Sequence, residues 1–216
     1  MLAGMIYVCA GMYRSGSTWL YNAVRLILAE AGVADLAAGW AGEKERIVAQ
    51  RNSLIKIHEF DKALASTKNI VFTSHRDLRD VAASLIRKFQ SSSPIELLRE
   101  TVDAYTQWSR VASYDLRYEN LLTDKAGELR KLARALRLPD KTLSVLPYEA
   151  VIVKIEREKF LEGRANAQRF DPVNLLHEGH VTDGRHGSWT DTLSDETVRA
   201  IEKEFRPWLV ARAYLS

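Results

Sequence analysis

Three short stretches hold residue types and spacings that could do chemistry on an anion. In "GMYRSGST", Gly11 to Thr18, two glycines stand at phosphate-loop spacing and a hydroxyl pair follows, but Ser17 takes the place where G-x-x-x-x-G-K-[ST] has lysine. A glycine-rich turn entering a helix offers unpaired backbone N–H groups at the positive end of the helix dipole. The amides of Arg14, Ser15, Gly16, Ser17 and Thr18 can therefore hold a phosphate without that lysine. What is lost with it is the point charge that phosphoryl transfer aims at the β- and γ-phosphates. Arg14, ahead of the second glycine, would approach from the other side of the loop, nearer a group being transferred, so chemistry at a different atom is expected. In "HRDLRDVAASLI", Arg76 leaves a strand and Ser84 lies about two turns into the following helix, so a guanidinium fork and a hydroxyl can converge on one phosphate. In "KIH", Lys56 and His58 project from one face of a strand, and an imidazole with an ordinary pKa near ~6.5 suits proton acceptance from a hydroxyl.

The elements that must place these groups alternate. "MIYVCA" (Met5 to Ala10) is a continuous apolar run, as in a central strand covered on both faces. Helical spacing follows from Gly16, with Leu20, Val24, Ile27, Leu28 and Ala31 on one stripe until Gly32 stops it. "SLIKIHE" (Ser53 to Glu59), "NIVFTS" (Asn69 to Ser74) and "SYDLRYE" (Ser113 to Glu119) predict three further strands, and each precedes a helical pattern. Ser93 before Pro94 predicts a cap for a helix to about Val111, and Ser194 caps a last helix that Pro207 should end. Between Leu161 and Trp189 periodicity fails, which predicts a long functional surface loop. The expectation is a single α/β domain over residues 1–216, three-layered and P-loop NTPase-like, with a central parallel sheet flanked by helices.

These stretches resemble the cytosolic-type sulfotransferases. "YRSGSTWL" is similar to their 5′-phosphosulfate loop P-K-S-G-T-T-W, with Arg14 at the lysine and Trp19 at the tryptophan. "HRDLRDVAASLI" resembles the 3′-phosphate motif R-[ND]-P-[KR]-D-x-x-x-S, which implies that Arg76 and Ser84 hold a 3′-phosphate. The K-x-H of the family implies that Lys56 and His58 are catalytic, with His58 as the base; Lys56 and Arg14 would stabilise charge developing in sulfuryl transfer. "YDLRYENLL" resembles the Y-E-D/N segment and implies that Tyr118 neighbours adenine, where Trp19 offers a second ring face. "DGRHGSW" resembles the C-terminal R-K-G-x-x-G-x-W loop through Gly184, Gly187 and Trp189. Thr182 and Asp183 stand where the family has arginine and lysine, and Arg185 is the candidate replacement for the missing charge. The dimer motif of the family has no counterpart in "TDTLSDETV", so no oligomeric state follows.

The resemblance implies a sulfotransferase that moves a sulfuryl group in line from 3′-phosphoadenosine-5′-phosphosulfate (PAPS) to a hydroxyl, leaving adenosine 3′,5′-bisphosphate (PAP), with no metal required. The acceptor can be a small molecule, a saccharide or a lipid, and Trp40, Phe60, Phe89 and Phe170 are candidate ring surfaces for it. Other readings stand beside this one. The glycine turn can be an ordinary strand-to-helix corner, Arg76 to Asp80 a solvated charge cluster, His58 a surface residue, and Tyr118 and Trp19 core aromatics. At the level of function, a P-loop kinase using ATP and Mg²⁺, or a module that only binds a bisphosphate, are the alternatives. A net charge of +3, from 31 basic and 28 acidic residues, does not point to nucleic acid or membrane. The lone Cys9 inside an apolar run, no membrane span and no signal-peptide start place the expectation in the cytoplasm. His75 reads as structural, and His177 and His180 lack companions for a metal site.

Overall fold

The computed structural model describes residues 4–90, 94–166, 169–181 and 183–216. In chain order these form β1 (Ile6–Cys9), α1 (Ser17–Glu30), β2 (Leu36–Trp40), α2 (Lys44–Val48), β3 (Asn52–Lys56), β4 (Ile70–His75) and α3 (Leu78–Phe89). Then follow α4 (Pro94–Ser109), β5 (Ala112–Arg117), α5 (Asn120–Thr123), α6 (Lys125–Ala135), α7 (Asp140–Leu143), α8 (Tyr148–Arg157) and α9 (Asp195–Ala211). The strands make one parallel sheet in the order β2-β3-β1-β4-β5.

Alternation along β1 explains the layers. Tyr7 and Cys9 face a core built with α1, α6 and α8, while Val8 and Ala10 face Ile55, Val71 and Trp108 on the other side. Both faces of β1 are covered, so its sequence is apolar at every position. Beyond the second face, α3, α4 and α9 pack through Val81, Leu85, Leu98, Ile201 and Leu209. Chain order reverses about β1, whose neighbours are β3 and β4. The carboxyl ends of β1, β3 and β4 thus meet at a topological switch point, where open α/β sheets form their ligand crevice.

Four expectations change. A fifth strand, β2, lies at the sheet edge; its "LAAGW" lacks the β-branched residues that announce a strand. The third strand ends at Lys56, so His58 sits two residues past it, in the loop. The unheralded α8 fills part of the segment after Leu146. Pro207 does not end α9: the backbone leaves helical geometry at Phe205 (φ −104°, ψ 15°), and Pro207 falls in the first turn of the continuation, where no partner for its missing N–H is needed. Ser194 caps α9 as expected, accepting from the Thr197 amide at 3.2 Å. The Ser93 cap lies outside the described residues. No helix among the described residues is long and apolar enough to cross a membrane.

Candidate active site

The loop after β1 is shaped by its glycines. A Cβ on Gly11 would lie 2.0 Å from Ser74 Oγ and 2.8 Å from Ser17 Cβ, so only glycine lets the turn pass β4. Gly16 adopts φ +80° and starts α1 without a side-chain cap, and no acidic residue occupies the first turn. The first-turn N–H groups and the positive dipole end therefore stay open to an anion. The Ser15 hydroxyl is not part of this opening. It is buried and bonds Met12 O at 2.7 Å and Ser74 Oγ at 2.7 Å, so only its main chain can serve a ligand.

Arg14 takes a left-handed φ of 58°, unusual for a residue with a Cβ. Its Nε donates to Ser84 Oγ at 2.9 Å and its Nη2 to His180 O at 2.9 Å. The guanidinium thus faces α3, where the expectation had it beside the transferred group. Arg76 is 3% exposed and stacks over Tyr118 with 4.2 Å to the ring centre. It donates to Arg185 O at 2.6 Å and to Arg14 O at 3.3 Å, while its buried Nε has no partner among the described residues. Tyr118 in turn donates to Gly184 O at 2.7 Å. Loop, β4 end and C-terminal strap are thereby drawn together.

Lys56 and His58 meet at the other end of the cavity. Lys56 Nζ lies 3.3 Å from His58 Nε2 and 4.8 Å from the Trp40 ring centre. His58 Nδ1 is 2.6 Å from Gly11 O. A carbonyl only accepts, so Nδ1 carries the hydrogen and Nε2 keeps its lone pair, which the Lys56 ammonium holds. The imidazole is flanked by Tyr13 and Trp40, at 4.1 and 5.4 Å between ring centres. Burial, followed by the Lys56 charge, holds the pKa of His58 well below the ordinary histidine value. Burial brings Lys56 down to about 8.

One cavity of about 1130 Å³ is lined by Arg14, Gly16, Ser17, Thr18 and Trp19, by Arg76, Ser84 and Tyr118, and by Lys56 and His58. Gly184 and Arg185 also border it, but the Arg185 guanidinium is turned to Asp183 (2.7 Å) and Asp191 (3.2 Å). Thr182 lies outside the described residues. Trp40, Phe89 and Phe170 reach the cavity, whereas Phe60 packs edge-on against Trp108 at 5.0 Å. His75 is buried away from it, 3.1 Å from Asp115 and beside Tyr105.

Asp80 was not singled out on its own in the sequence, since no local spacing announces a contact across 107 residues. It is fully buried and accepts from the Gly187 and Trp189 amides at 2.8 and 3.1 Å, latching the strap to α3. His180, at 4.3 Å from the His177 ring, also lines the cavity. Asp80, Glu119 and His186 offer metal-ligand atoms within 4.8 Å of one another, but Asp80 is engaged by the strap amides and Glu119 by the Asp77 amide and Tyr214.

No family model and no curated protein matches the sequence. Solved structures do match: mouse sulfotransferase SULT7A1 complexed with PAP shares 15% identity at a TM-score of 0.64, covering 97% of this chain and 85% of that one. The chain has the sulfotransferase fold. A retinol dehydratase in complex with retinol and PAP gives 16% identity, a TM-score of 0.60 and coverages of 97% and 82%. Retinol dehydratase with androsterone and PAP gives 16%, 0.57, 94% and 80%. Within the sulfotransferase fold, the loop, the Arg76–Ser84 segment and Lys56–His58 all stand at the carboxyl edge of the sheet.

Proposed function

We propose that the protein is a PAPS-dependent sulfotransferase acting on an acceptor hydroxyl. The observation that carries this reading is the convergence of the phosphate loop, Arg76 with Ser84, and Lys56 with His58 on one cavity, in a fold shared with PAP-bound sulfotransferases. A cavity of about 1130 Å³ also leaves space beside a nucleotide for a second substrate.

The residues divide the work. Main-chain donors from Arg14 to Thr18 grip the 5′-phosphosulfate, and Arg76 with Ser84 holds the 3′-phosphate. Trp19 and Tyr118 flank the adenine. In the transfer, an acceptor oxygen bonds to sulfur, the bond from sulfur to the phosphate oxygen breaks, and the hydroxyl proton passes to His58. His58 is fixed in the required tautomer by Gly11 O. Its lone pair becomes available when Lys56 turns from Nε2 toward the leaving oxygen, so one motion frees the base and delivers the charge.

Nucleotide choice tests the reading. PAP should raise the melting temperature far more than ATP with Mg²⁺, because a ligand bound only by the folded state stabilises it. Labelled PAPS should then sulfate at least one member of a panel of phenols, saccharides, lipids and other alcohols. With that acceptor, His58→Ala should lower turnover about 10²-fold or more while PAP affinity stays nearly unchanged. Preference for ATP and Mg²⁺ would make the protein a kinase, the reading that Ser17 at the lysine position opposes.

A further inference from the structure

The sulfotransferase reading leaves the 3′-phosphate short of charge, since Asp183 stands where the family carries lysine and Arg185 spends its guanidinium on Asp183 and Asp191. Arg185 is 65% exposed at the side chain. A different arginine is less exposed and stands beside Asp183 and one turn from Ser84, both of which line the cavity, though it is not itself on the cavity wall. Arg87 lies three residues after Ser84 on α3, and residues so spaced share a helix face about 5–6 Å apart. Its side chain is 24% exposed.

Three features of Arg87 are those of a phosphate-binding cation. Its position is fixed by neutral hydroxyls, with Nη1 donating to Thr192 Oγ1 at 2.6 Å and Nη2 to Ser188 Oγ at 3.0 Å. Those bonds orient the guanidinium without cancelling its charge. Its nearest carboxylate, Asp183, is 3.9 Å away and already shared with Arg185. Its Nε is buried and has no hydrogen-bond partner among the described residues, and a buried donor left unpaired calls for a ligand or another explanation.

The surroundings add a fourth feature. Arg14 is bonded to Ser84, and its guanidinium is pushed down in pKa first by burial and then by the charges of Arg76 and Arg87. Arg76 reaches a carboxylate, Asp80, only at 3.9 Å. Arg14, bonded to Ser84, thus feels two further arginine charges whose nearest carboxylates stand 3.9 Å from Arg76 and from Arg87, and an anion with more than one charge is what relieves that arrangement.

We propose that Arg87, and not Arg185, is the third cation for the 3′-phosphate and sets the preference of the site for a nucleoside bisphosphate over a monophosphate. This rests on the sulfotransferase reading and assigns one residue within it. Calorimetry with PAP and with adenosine 5′-monophosphate separates the two claims. Wild-type protein should bind PAP more tightly than the monophosphate; failure to do so sinks the sulfotransferase reading before any variant is compared.

Given that preference, Arg87→Met, which keeps an apolar stem, should weaken PAP about 10- to 100-fold, the size of a lost charge-assisted hydrogen bond. The monophosphate should change by no more than about twofold, which also shows that the variant is folded. Arg87→Lys should restore part of the preference, and Arg185→Met should leave it intact. An unchanged PAP preference in Arg87→Met overturns the assignment. So does an equal loss for both nucleotides, since that is what a residue merely propping the strap through Ser188 and Thr192 would give.

Discussion

At the scale of single residues, the Lys56–His58 pair decides how activity depends on pH. Two basic groups 3.3 Å apart and shielded from water cannot both be charged cheaply, and here the lysine keeps the proton. Burial places Lys56 at about 8, so it is a cation below that pH and neutral above it. If its charge serves the leaving oxygen, kcat falls as pH rises through about 8. His58, held well below the usual range, stays unprotonated and able to accept a proton throughout neutral pH, which puts the acid limb below ~6.5. Lys56→Met removes the second-largest cause lowering His58. The pH–rate profile should then lose its alkaline limb while the acid limb moves up; a variant whose alkaline limb stays near 8 would assign that limb to another group.

At the scale of elements, the turn after β1 and the strap from Asp183 to Trp189 are positioned by very different means. The turn depends on space. Gly11→Ala drives a methyl into Ser74 and Ser17 at the join of β1, β4 and α1, and overpacking of this kind costs about 1–3 kcal/mol. Gly32→Ala, with φ +72° and nothing within 4 Å of the new Cβ, carries only the left-handed backbone penalty of about 1–2 kcal/mol. Urea unfolding of the two variants should show Gly11→Ala losing at least as much stability and, unlike Gly32→Ala, losing PAP binding as well.

The strap is held at two of its amides by one carboxylate, Asp80, beside the bonds it takes from Arg76, Tyr118 and Arg87. Asp80→Asn leaves a single acceptor oxygen for the Gly187 and Trp189 amides and brings an unmatched NH₂ into a fully buried place, at about 1–3 kcal/mol. Limited proteolysis should cut the variant between Asp183 and Trp189 faster than the parent, and PAP should slow the cutting. Equal rates would show that the latch lies elsewhere.

The same contrast explains what could be read in advance. The strand–turn–helix at Gly11 to Thr18, the Arg76–Ser84 pair and the KIH stretch are written in adjacent residues whose periods and spacings carry their own geometry. β2 was missed because an edge strand of "LAAGW" takes its conformation from pairing with β3, not from its own propensity. Asp80 as a latch and Arg14 turned to Ser84 are products of contacts between segments far apart in the chain, which no local pattern encodes, whereas Arg185 is drawn aside by near neighbours, Asp183 and Asp191. His58 falls outside its expected strand yet still meets Lys56, because the bond to Gly11 O folds the loop back over the sheet edge.

At the scale of the whole molecule, the cavity gathers basic groups that the fold must keep uncharged, and this links the candidate site to stability. His58, His177 and His180 are all lowered in pKa, each chiefly by burial, with the Lys56 and Arg14 charges adding to the effect. The unfolded chain binds their protons near ~6.5, while the folded chain refuses them until lower pH. Between those limits the unfolded state holds more protons, so stability is full above ~6.5 and declines as pH falls, by up to about 1.4 kcal/mol per pH unit for each histidine.

Carboxylates such as Asp61 and Asp115, lowered by their partners, contribute in the same direction but only near and below pH ~4. The window from pH 7 to 5 therefore belongs to the histidines. Urea midpoints measured across it should fall steadily, and His180→Asn, which cannot titrate, should flatten the fall. Bound PAP should flatten it too, because its anionic groups offset the surrounding cations and make protonating these imidazoles less costly. A stability curve level from pH 7 to 5, or one whose slope is the same in His180→Asn, would mean that the cavity takes up protons without cost and that the histidines are not held neutral by the fold.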